Sequence, residues 1–390
     1  MSGLAPVQTS AAVHAAGPIT IEPVRTGAQL NAFIRLAWRI YANDPAWVAP
    51  LILDIKNTLN PAKHPFHKHA EIESFLAFRN GEPAGRITAI LNRTHIEFHE
   101  EPAGFFGLFE SVDDPEVAAA LLGTAENWLR ARGMRVIRGP MNLSTNDELW
   151  SPGVLIDGFD KAPYILMGHT PPYYASLLES AGYAKSKDLH SFWMEGRERE
   201  RHMRMAEKLI ARSSFRMRPL DMKRLDQDVA IIQQIYNASW ERNWGFVPMT
   251  AEEILHLAKQ LKPVVVPSLC MIAYAEEEPA GFALSLPNLN EALRYANGRL
   301  LPFGLFRILW HKRHIRHARV LTLGVTPKHR GKGLDALLIL NSFREINRAG
   351  IYSGECSWIL EDNLPMRLAL EKIGGFVYKT YRVFEKPIAT

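Results

Sequence analysis

Cysteines and long apolar runs are scarce in this sequence, and each scarcity excludes a class of protein. Among 390 residues only Cys270 and Cys356 are cysteines, which cannot form a disulfide framework and give no CxxC metal spacing. No apolar run approaches the roughly 20 residues that span a bilayer. A hydrophobic content of 47% with 22% charged residues is that of a soluble globular protein. The sequence therefore predicts a cytoplasmic protein without a transmembrane helix.

A secretory signal is also missing from the beginning of the sequence. Residues 1–18 are small and polar, with neither a basic start nor a long apolar stretch. We expect these residues to form a disordered tail, and we do not expect the protein to be exported.

Acidic residues are absent from one long stretch of the chain. Between Ala292 and Leu334 there is no Asp or Glu, while Lys and Arg occur at ten positions, against a net charge of +5 for the whole chain. Such a stretch should face an anionic partner. The candidates are a cofactor phosphate, a membrane surface and a nucleic acid. No helix-turn-helix, zinc-finger or RNP-like motif accompanies the charge, so a nucleic acid is not an expected partner.

The most basic part of this stretch, residues 297–319, mixes Leu, Phe, Ile and Trp with Arg, Lys and His. A cationic amphipathic segment with a Trp is typical of a helix that lies on an anionic membrane. In that interpretation the protein has a peripheral contact with the inner face of the membrane. The alternative is an internal helix that covers the sheet and exposes a basic edge.

Two halves of the chain repeat one order of predicted elements. The length of 390 residues fits two domains of about 200 residues each. From about Ile19 to Glu195, periodicity and turn residues predict strand, helix, hairpin, strand, helix, strand, helix and strand. A charged helical segment follows, and the same order returns from about Phe215 to Lys386. We expect each half to be an α+β domain with one mixed sheet.

A basic loop with two glycines, "TPKHRGKGL", lies between a predicted strand and a predicted helix at residues 326–334. Gly331 and Gly333 would let backbone N–H groups from about Arg330 to Leu334 surround a pyrophosphate. Lys328, Arg330 and Lys332 add positive charge. The spacing is neither that of a P-loop nor that of the dinucleotide motif GxGxxG. The alternative interpretation is a solvated basic turn at the start of a helix.

A second motif lies some thirty residues further on, "NLPMRLALEKIGGF" at residues 363–376. Asn363 suits a helix N-cap, and Met366, Leu370 and Ile373 give the predicted helix one apolar face. The glycine pair at residues 374–375 ends this helix.

Taken together, V-x-P-K-x-R-G-K-G-L and N-x-x-M-x-x-x-L-E-K-x-G-G-F resemble the motifs of the GNAT superfamily of acyl-CoA-dependent N-acyltransferases. The resemblance implies an α+β fold with two tandem GNAT-like domains, each a mixed, mostly antiparallel sheet flanked by helices. It also implies acyl-CoA or acetyl-CoA as a co-substrate, with no permanently bound cofactor. The residues implied as CoA contacts are Leu323, Val325, Lys328, His329, Arg330, Gly331, Lys332, Gly333, Leu334 and Asn363.

Catalytic residues are expected on the strands near this motif. An amine that attacks a thioester must lose a proton, and the position of Glu355 in the family's geometry makes it the candidate base. The alternative for Glu355 is an exposed strand carboxylate. A Tyr that is frequent in the family is Leu370 here, which cannot protonate a leaving thiolate. The candidate acids are therefore Tyr381, our first choice, and Tyr378, unless the acid is dispensable.

The first half lacks the basic loop. At the corresponding position stands "SVDDPE", whose carboxylates Asp113, Asp114 and Glu116 would repel a pyrophosphate. The resemblance therefore implies a degenerate GNAT-like domain on the acceptor side at residues 19–196, a helical connector at 197–213, and a GNAT domain binding acyl-CoA at 214–388.

The first half also contains a loop dense in short polar side chains, "GPMNLSTNDE" at residues 139–148. We predict that Asn142, Ser144, Asn146 and Glu148 help to recognise the acyl acceptor. The alternative is a turn-rich surface loop. A separate cluster, "HPFHKHAE" at residues 64–71, does not have the spacing of a zinc motif, and we expect no metal there.

Longer segments, among them "GFFGLFE", "PPYYASLLESAGY" and "SWILEDNLPM", resemble a group of bacterial tandem-GNAT proteins related to the bacterial ceramide synthases. That resemblance implies transfer of a long-chain acyl group to a sphingoid-type lipid amine. Two alternatives stay open, an acetyltransferase for a small amine or peptide, and a non-catalytic module that binds CoA or lipid. A site between the two halves is the default for a duplicated fold.

Overall fold

A computed structural model of the chain describes residues 17–146, 150–195, 204, 207–208 and 210–388. The predicted tail up to residue 16 and most of the predicted connector lie outside the described residues. The strands are β1 Ile19–Pro23, β2 Ala70–Arg79, β3 Glu82–Asn92, β4 Ala103–Ser111, β5 Val136–Gly139, β6 Val154–Asp157, β7 Ala184–Glu195, β8 Phe215–Pro219, β9 Cys270–Ala275, β10 Glu278–Pro287, β11 His317–Val325, β12 Ser353–Leu360 and β13 Phe376–Pro387.

The helices of the described residues flank these strands. They are α1 Gly27–Ile40, α2 Ile52–Thr58, α3 Arg93–His99, α4 Pro115–Arg130, α5 Tyr174–Ser180, α6 Leu225–Trp240, α7 Ala251–Leu261, α8 Asn290–Leu293, α9 Gly304–Lys312, α10 Leu334–Arg348 and α11 Leu364–Lys372. Each half follows the predicted order of elements, with α2, α3, β6, α7, α8 and α9 in addition. In the described part of the chain, no helix has the length and apolar character needed to cross a membrane.

Local sequence explains where the principal helices begin. Thr26 and Gln29 form a capping box at the start of α1, and Thr250 and Glu253 form one at the start of α7. In each box the Thr hydroxyl accepts a hydrogen bond from the backbone N–H three residues later. The side chain of that later residue accepts a hydrogen bond from the backbone N–H of the Thr. The start of α7 could be predicted from the sequence, because Thr-x-x-Glu precedes a helical apolar pattern.

The two halves share one continuous sheet, because their last strands are exchanged. The strand order is β1-β2-β3-β4-β5-β13-β7-β12-β11-β10-β9-β8, with β6 paired to β13. Strand β13, from the end of the chain, therefore lies between β5 and β7 of the first half, and β7 pairs with β12. We predicted one mixed sheet in each half, and the exchanged strands join these two sheets edge to edge. Local pattern defines a strand and its inward face but not which strand becomes its neighbour.

The exchange places residues of the second half in the core of the first half. Phe384 of β13 is 1% exposed and belongs to the apolar cluster of the first half with Phe106 and Tyr183. On the same strand, the guanidinium of Arg382 donates to both carboxylate oxygens of Asp188 in β7, at 2.8 and 2.9 Å. The first half therefore depends on the end of the chain for a complete core.

Helices cover both faces of the sheet in the second half. On β10, Phe282 and Leu284 pack against α6, whereas Ala283 belongs to the cluster formed with α10. Because successive strand residues point to opposite faces, α6 and α10 lie on opposite sides of the sheet.

The strand exchange leads to a testable prediction for stability. We expect Phe384→Ala to lower the free energy of unfolding by about 3–5 kcal/mol, because it empties a buried aromatic site. Urea denaturation measures the change. Phe376→Ala, at the 55% exposed start of the same strand, is the control and should cost clearly less. Equal effects of the two substitutions would contradict the placement of β13 in the first core.

Candidate functional site

A cleft opens where two parallel strands of the second half separate. β11 and β12 pair at four positions, from His317 with Ser353 to Val320 with Cys356, and then diverge. β11 also bulges against β10, since Thr322 pairs with Leu284 and Val320 with Ser285, which leaves Leu321 outside the register. Beyond Val320 the edge of β11 that faces β12 presents backbone groups to a gap. Such groups need partners, and an extended ligand with amide groups can supply them.

The gap is the middle of a cavity of about 190 Å³ that crosses the sheet and that we call the transverse cleft. Its lining comes from residues 320–323 of β11 and 356–360 of β12, together with side chains of α6, α7, α10 and α11. Of the predicted CoA contacts, Leu323 and Asn363 line it. Val325 does not, because it is 8% exposed and packs in the core under α10.

The basic loop, residues 326–334, lies at the start of α10. Gly331 has φ +70° and Gly333, the N-cap of α10, has φ +79°, a conformation in which glycine is favoured. The N-cap has no side-chain hydrogen bond, so the N–H groups of the first turn are available to a ligand. An exposed helix N-terminus beside cations favours a phosphate group.

The side chains of the basic loop divide between the surface and the interior. Lys328 and Lys332 are exposed, with Lys328 paired to Glu278. Arg330 donates to the carbonyls of Val325 and Ser239 at 3.3 and 2.5 Å and thereby holds the loop against β11 and α6.

Two predicted CoA contacts of the same loop turn inward. His329 is 4% exposed with its Nδ1 at 3.0 Å from the hydroxyl of Thr326, and Leu334 is fully buried. These two residues can therefore offer a ligand their backbone but not their side chains.

Asn363 occupies the N-cap of α11, as its sequence pattern predicted. Its Oδ1 accepts the N–H of Met366 at 3.4 Å. Leu370, at the position of the family's frequent Tyr, lines the transverse cleft and is 1% exposed. The cleft is therefore apolar at the point where the family often has a phenol.

The candidate base lies directly behind the cleft. Glu355 is 1% exposed, and its carboxylate accepts hydrogen bonds from the hydroxyls of Ser357 and Tyr378. Ser357 lines the transverse cleft, whereas the Glu355 side chain has no exposure. The open alternative of an exposed strand carboxylate is thus wrong, and Ser357 connects Glu355 to the cleft.

Arg319 completes this polar cluster. Its Nε donates to Ser357 Oγ at 2.8 Å, its Nη1 donates to the carbonyl of Ile165 at 2.9 Å, and its Nε lies 4.0 Å from Glu355 Oε1. Sequence reasoning missed both Ser357 and Arg319. A signal for Ser357 existed, because residues two apart on a strand share one face and Ser357 follows Glu355 at that spacing.

Burial determines the protonation of the groups around Glu355. Burial and the negative charge of Glu355 raise the pKa of Tyr378 well above its usual value, so its phenol stays a hydrogen-bond donor. Burial lowers the pKa of Lys379 to about 8, while its Nζ donates to the carbonyl of Lys161 at 2.6 Å. Burial raises the pKa of the cleft-lining Cys356 thiol to about 12, which keeps it neutral and unreactive.

Tyr381, which we predicted to be catalytic, lies away from the cleft. It is fully buried among apolar residues, and its hydroxyl donates to the carbonyl of Gly168 at 2.9 Å. Burial also raises its pKa well above the usual value. The alternation of β13 turns Tyr381 into the core, so the prediction of a catalytic role is corrected.

The corresponding gap in the first half is filled by its own chain. β4 and β5 pair in parallel at three positions and then separate in the same way. Here the carbonyl of Met141 approaches Gly107 so closely that a Cβ on this glycine would lie 1.6 Å from it. Asn142 Oδ1 accepts the N–H of Leu108 at 3.0 Å, and Asn142 Nδ2 donates to the carbonyl of Ser151 at 3.1 Å. Asn142 therefore closes a cleft, and its predicted role in acceptor recognition is corrected.

In the first half, a carboxylate occupies the helix N-terminus that corresponds to the predicted phosphate site. Asp114 caps α4 by accepting the N–H groups of Glu116 and Val117 and pairs with Arg79 at 2.8 Å. This anion already satisfies the helix N-terminus, as the "SVDDPE" pattern indicated.

Of the other predicted acceptor residues in the 139–148 loop, Asn146 bonds to the second half and Ser144 bonds within the loop. Ser144 Oγ accepts the N–H of Asn146 at 3.1 Å. Asn146 Nδ2 donates to the carbonyl of Val247, and Asn146 Oδ1 accepts the hydroxyl of Tyr236, both at 2.9 Å. Glu148 lies outside the described residues.

A second cavity, of about 320 Å³, lies between the halves, and we call it the inter-half cavity. The first half contributes residues 48–51 and 165–167, and the second half contributes side chains of α7 and α8. Asn146, Met249 and Leu257 line both this cavity and the transverse cleft. The two spaces are therefore adjacent at these three residues.

The histidine segment at residues 64–69 joins the two halves. The Nε2 of His69 lies 2.8 Å from Glu253 of α7, and the Nε2 of His67 lies 2.9 Å from the carbonyl of Thr58. In the part of the chain that the structure describes, no three His, Cys, Asp or Glu residues form a group that could hold a metal ion.

Two solved structures that share this fold are described as GNAT proteins. The tandem GNAT protein from the clavulanic acid biosynthesis pathway aligns with a TM-score of 0.55 and 12% identity, over 96% of this chain and 99% of that chain. A GCN5-related N-acetyltransferase from Sphaerobacter thermophilus gives a TM-score of 0.53 and 13% identity, over 95% and 96%. The predicted fold class, an α+β fold with two tandem GNAT-like halves, is confirmed.

Curated relatives identify the family more closely. No protein-family model matches the chain. The bacterial ceramide synthase of Caulobacter vibrioides is 39% identical over 380 residues, which are 95% of this chain and 98% of that protein. Protein YghO of Escherichia coli is 37% identical over 367 residues, or 92% and 93%. The chain is an N-acyltransferase of the GNAT type, and it belongs to the family that contains these two proteins.

The basic loop leads to a prediction for CoA binding. A Cβ at Gly331 would meet no atom within 4 Å, so the glycine is required by its φ of +70° rather than by space. We expect Gly331→Val to reshape the loop and to weaken CoA binding by about 10-fold or more, since such strain costs about 1–3 kcal/mol. Isothermal titration calorimetry with CoA measures the affinity.

Gly350 provides a matched control for this substitution. It has φ +80° and equally open surroundings, but it lies at the far end of α10. Gly350→Val should carry similar backbone strain and leave CoA affinity unchanged. An unchanged affinity of Gly331→Val would remove the basic loop from the CoA site.

Proposed function

We propose that this protein transfers a long-chain acyl group from acyl-CoA to the amine of a sphingoid-type lipid. One observation carries the proposal. Ser357 lines the cleft between the separated strands β11 and β12, and its hydroxyl donates a hydrogen bond to the buried carboxylate of Glu355. The name of the Caulobacter vibrioides relative, a ceramide synthase, supports the lipid acceptor. The apolar lining of both cavities supports long hydrocarbon substrates over small polar ones.

The acyl-CoA would lie along the gap between β11 and β12. Its pyrophosphate would take the N–H groups of the basic loop, with Lys328 and Lys332 nearby, and its pantetheine amides would pair with the free edge of β11. Asn363 lies on the opposite wall of the cleft. The thioester would then lie near Ser357, where β11 and β12 begin to diverge.

The chemistry requires a base for the amine. The amine nitrogen attacks the thioester carbonyl, a C–N bond forms, the C–S bond breaks, and CoA leaves. Ser357 already donates its proton to Glu355 and accepts a bond from Arg319, so one lone pair of its hydroxyl remains for the amine N–H. The amine proton passes through Ser357 to Glu355 and ends on the departing thiolate or on water. Arg319 and Tyr378 hold this relay in place.

A dedicated acid is not required in this scheme. Leu370 has no proton to give, and Tyr381 is buried away from the cleft. An ordinary thiol has a pKa of about 8.5, so the CoA thiolate can leave near neutral pH and take up a proton afterwards.

Replacing the base tests the proposed function. We expect Glu355→Gln to lower kcat by about 100-fold or more, because general-base catalysis contributes about 10² to 10⁴. The KM for palmitoyl-CoA should change little, since the side chain does not line the cleft. The assay follows N-palmitoyl sphinganine by mass spectrometry, and Glu361→Gln, just after the same strand, is the control.

Three other outcomes have definite meanings. An unchanged kcat in Glu355→Gln would contradict the role of this carboxylate. Acetylated small amines as the sole products of the wild-type protein would replace the proposal with an acetyltransferase. CoA binding without any acylated product would favour a non-catalytic module.

We also propose that the surface around α9 contacts an anionic membrane. α9 buries only Gly304 and Ile308, so it does not cover the sheet in the way that an internal helix would. Its exposed apolar side chains, together with those just before it, are Leu301, Phe303, Leu305, Phe306, Leu309 and Trp310. The exposed basic side chains around them are Arg294, Arg299, Arg307, Lys312, Arg313 and Arg316. An apolar surface with a cationic rim matches a bilayer with anionic headgroups.

This membrane contact has its own test. Phe303 and Phe306 are each 68% exposed, so replacing both with Ser should leave the fold intact. We expect binding to phosphatidylglycerol vesicles to fall by about 10-fold or more, because burying one Phe contributes about 1.5–3 kcal/mol. Vesicle co-sedimentation measures the binding. Leu368→Ser, at a 53% exposed position of α11, is the control, and equal binding of all variants would contradict the contact.

A further inference from the structure

The transverse cleft extends to both faces of the sheet. On the α10 face it lies next to Phe343 and Met366, and on the α6 face it is lined by Trp240 and Phe282. The basic loop directly precedes the first turn of α10. The phosphates of acyl-CoA would therefore be held at the N-terminus of α10. Acyl carbons beyond the thioester would then find an apolar channel within the same cleft, on its α6 side.

The inter-half cavity is a separate space from the transverse cleft, and most of its lining residues are different. It lies beyond α7, and Leu261, Val264 and Leu293 line it without lining the cleft. Its volume of about 320 Å³ is within the range of small-molecule sites, about 300–1,000 Å³. Most of the lining is apolar, which suits a hydrocarbon chain, and polar side chains such as Asp54 and Glu253 interrupt it.

The inter-half cavity also shares a helix with the proposed membrane surface. Leu289, the N-cap of α8, and Leu293 of α8 line the cavity. Ala292 of the same helix packs against Ile308 of α9 in a small apolar cluster. The wall of the cavity therefore packs against α9, and the outer side of α9 carries the exposed Phe and Trp side chains.

From these observations, and resting on the proposed function, we infer that the inter-half cavity holds the hydrocarbon chain of the acceptor amine. The amine would then lie at the junction formed by Asn146, Met249 and Leu257, from which it reaches the thioester in the cleft. Acyl-CoA and acceptor must meet from different directions to bring nitrogen and carbonyl carbon together. Two separate apolar spaces that meet at one junction satisfy this requirement.

Photocrosslinking of the wild-type protein tests this inference without requiring turnover. The probe is a sphinganine that carries a diazirine near the end of its chain, and unlabelled sphinganine is the competitor. We expect labelled peptides from α7 and α8 that disappear on competition. Labelling confined to α6 and α10, or to the exposed surface of α9, would overturn the inference.

A substitution that fills the cavity provides a second test. The half-buried Leu293 lines only the inter-half cavity, so Leu293→Trp should reduce the space for a chain. We expect the ratio of kcat/KM for sphinganine to that for a short-chain amino diol to fall by about 10-fold or more. The KM for palmitoyl-CoA should keep its wild-type value. Leu368→Trp, on the exposed side of α11, is the control and should leave the ratio unchanged.

The outcomes separate this inference from the proposed function. If the preference for acyl-CoA chain length changes in Leu293→Trp while the acceptor ratio does not, the cavity holds the acyl chain and the inference is wrong. If the probe labels α7 and α8 but the wild-type protein forms no amide with any acyl-CoA, the cavity assignment stands and the proposed function fails.

Discussion

The separation of β11 from β12 is the constraint on which the site depends. Hydrogen-bonding groups along the edge of a strand must be paired, covered or used by a ligand. After Val320 and Cys356 the two strands no longer pair, and the free edge of β11 faces the transverse cleft. The basic loop follows at the end of the same strand, and Ser357 follows at the start of the divergence on the other. One interruption of a sheet thus aligns a backbone edge, the proposed phosphate site and the proposed proton acceptor.

The exchange of β7 and β13 gives this site its interior. Tyr378 and Lys379 come from β13, which lies in the sheet beside β7, and Tyr378 reaches the carboxylate of Glu355 on β12. Ile165 of the first half accepts a bond from Arg319. A carboxylate that is 1% exposed is tolerable only with such partners, because an unpaired buried charge is strongly unfavourable. The two halves therefore form one structural unit around the candidate base.

The same separation of two parallel strands leaves an open cleft in the second half and is filled by the chain itself in the first half. In the first half the gap after β4 and β5 is filled by Met141 and Asn142, and Asp114 occupies the helix end that a phosphate would need. The sequence revealed the second of these changes, since acidic residues stand where the other half has basic ones. It could not reveal the first, because Asn142 was readable only as a polar loop residue and its partner Leu108 lies 34 positions away.

Local sequence by itself determined the order of elements, the capped helices, the two-glycine loop before α10 and the loss of that loop in the first half. These features depend on periodicity and on residue types within a few positions. Only the tertiary structure decided that β13 pairs with β7, that Glu355 is buried behind Ser357, that Tyr381 belongs to the core, and that a mostly apolar cavity lies between parts of the two halves. The reason is distance along the chain: Asp188 and Arg382, which pair across the exchanged strands, are 194 positions apart, and no local pattern specifies which strands become neighbours.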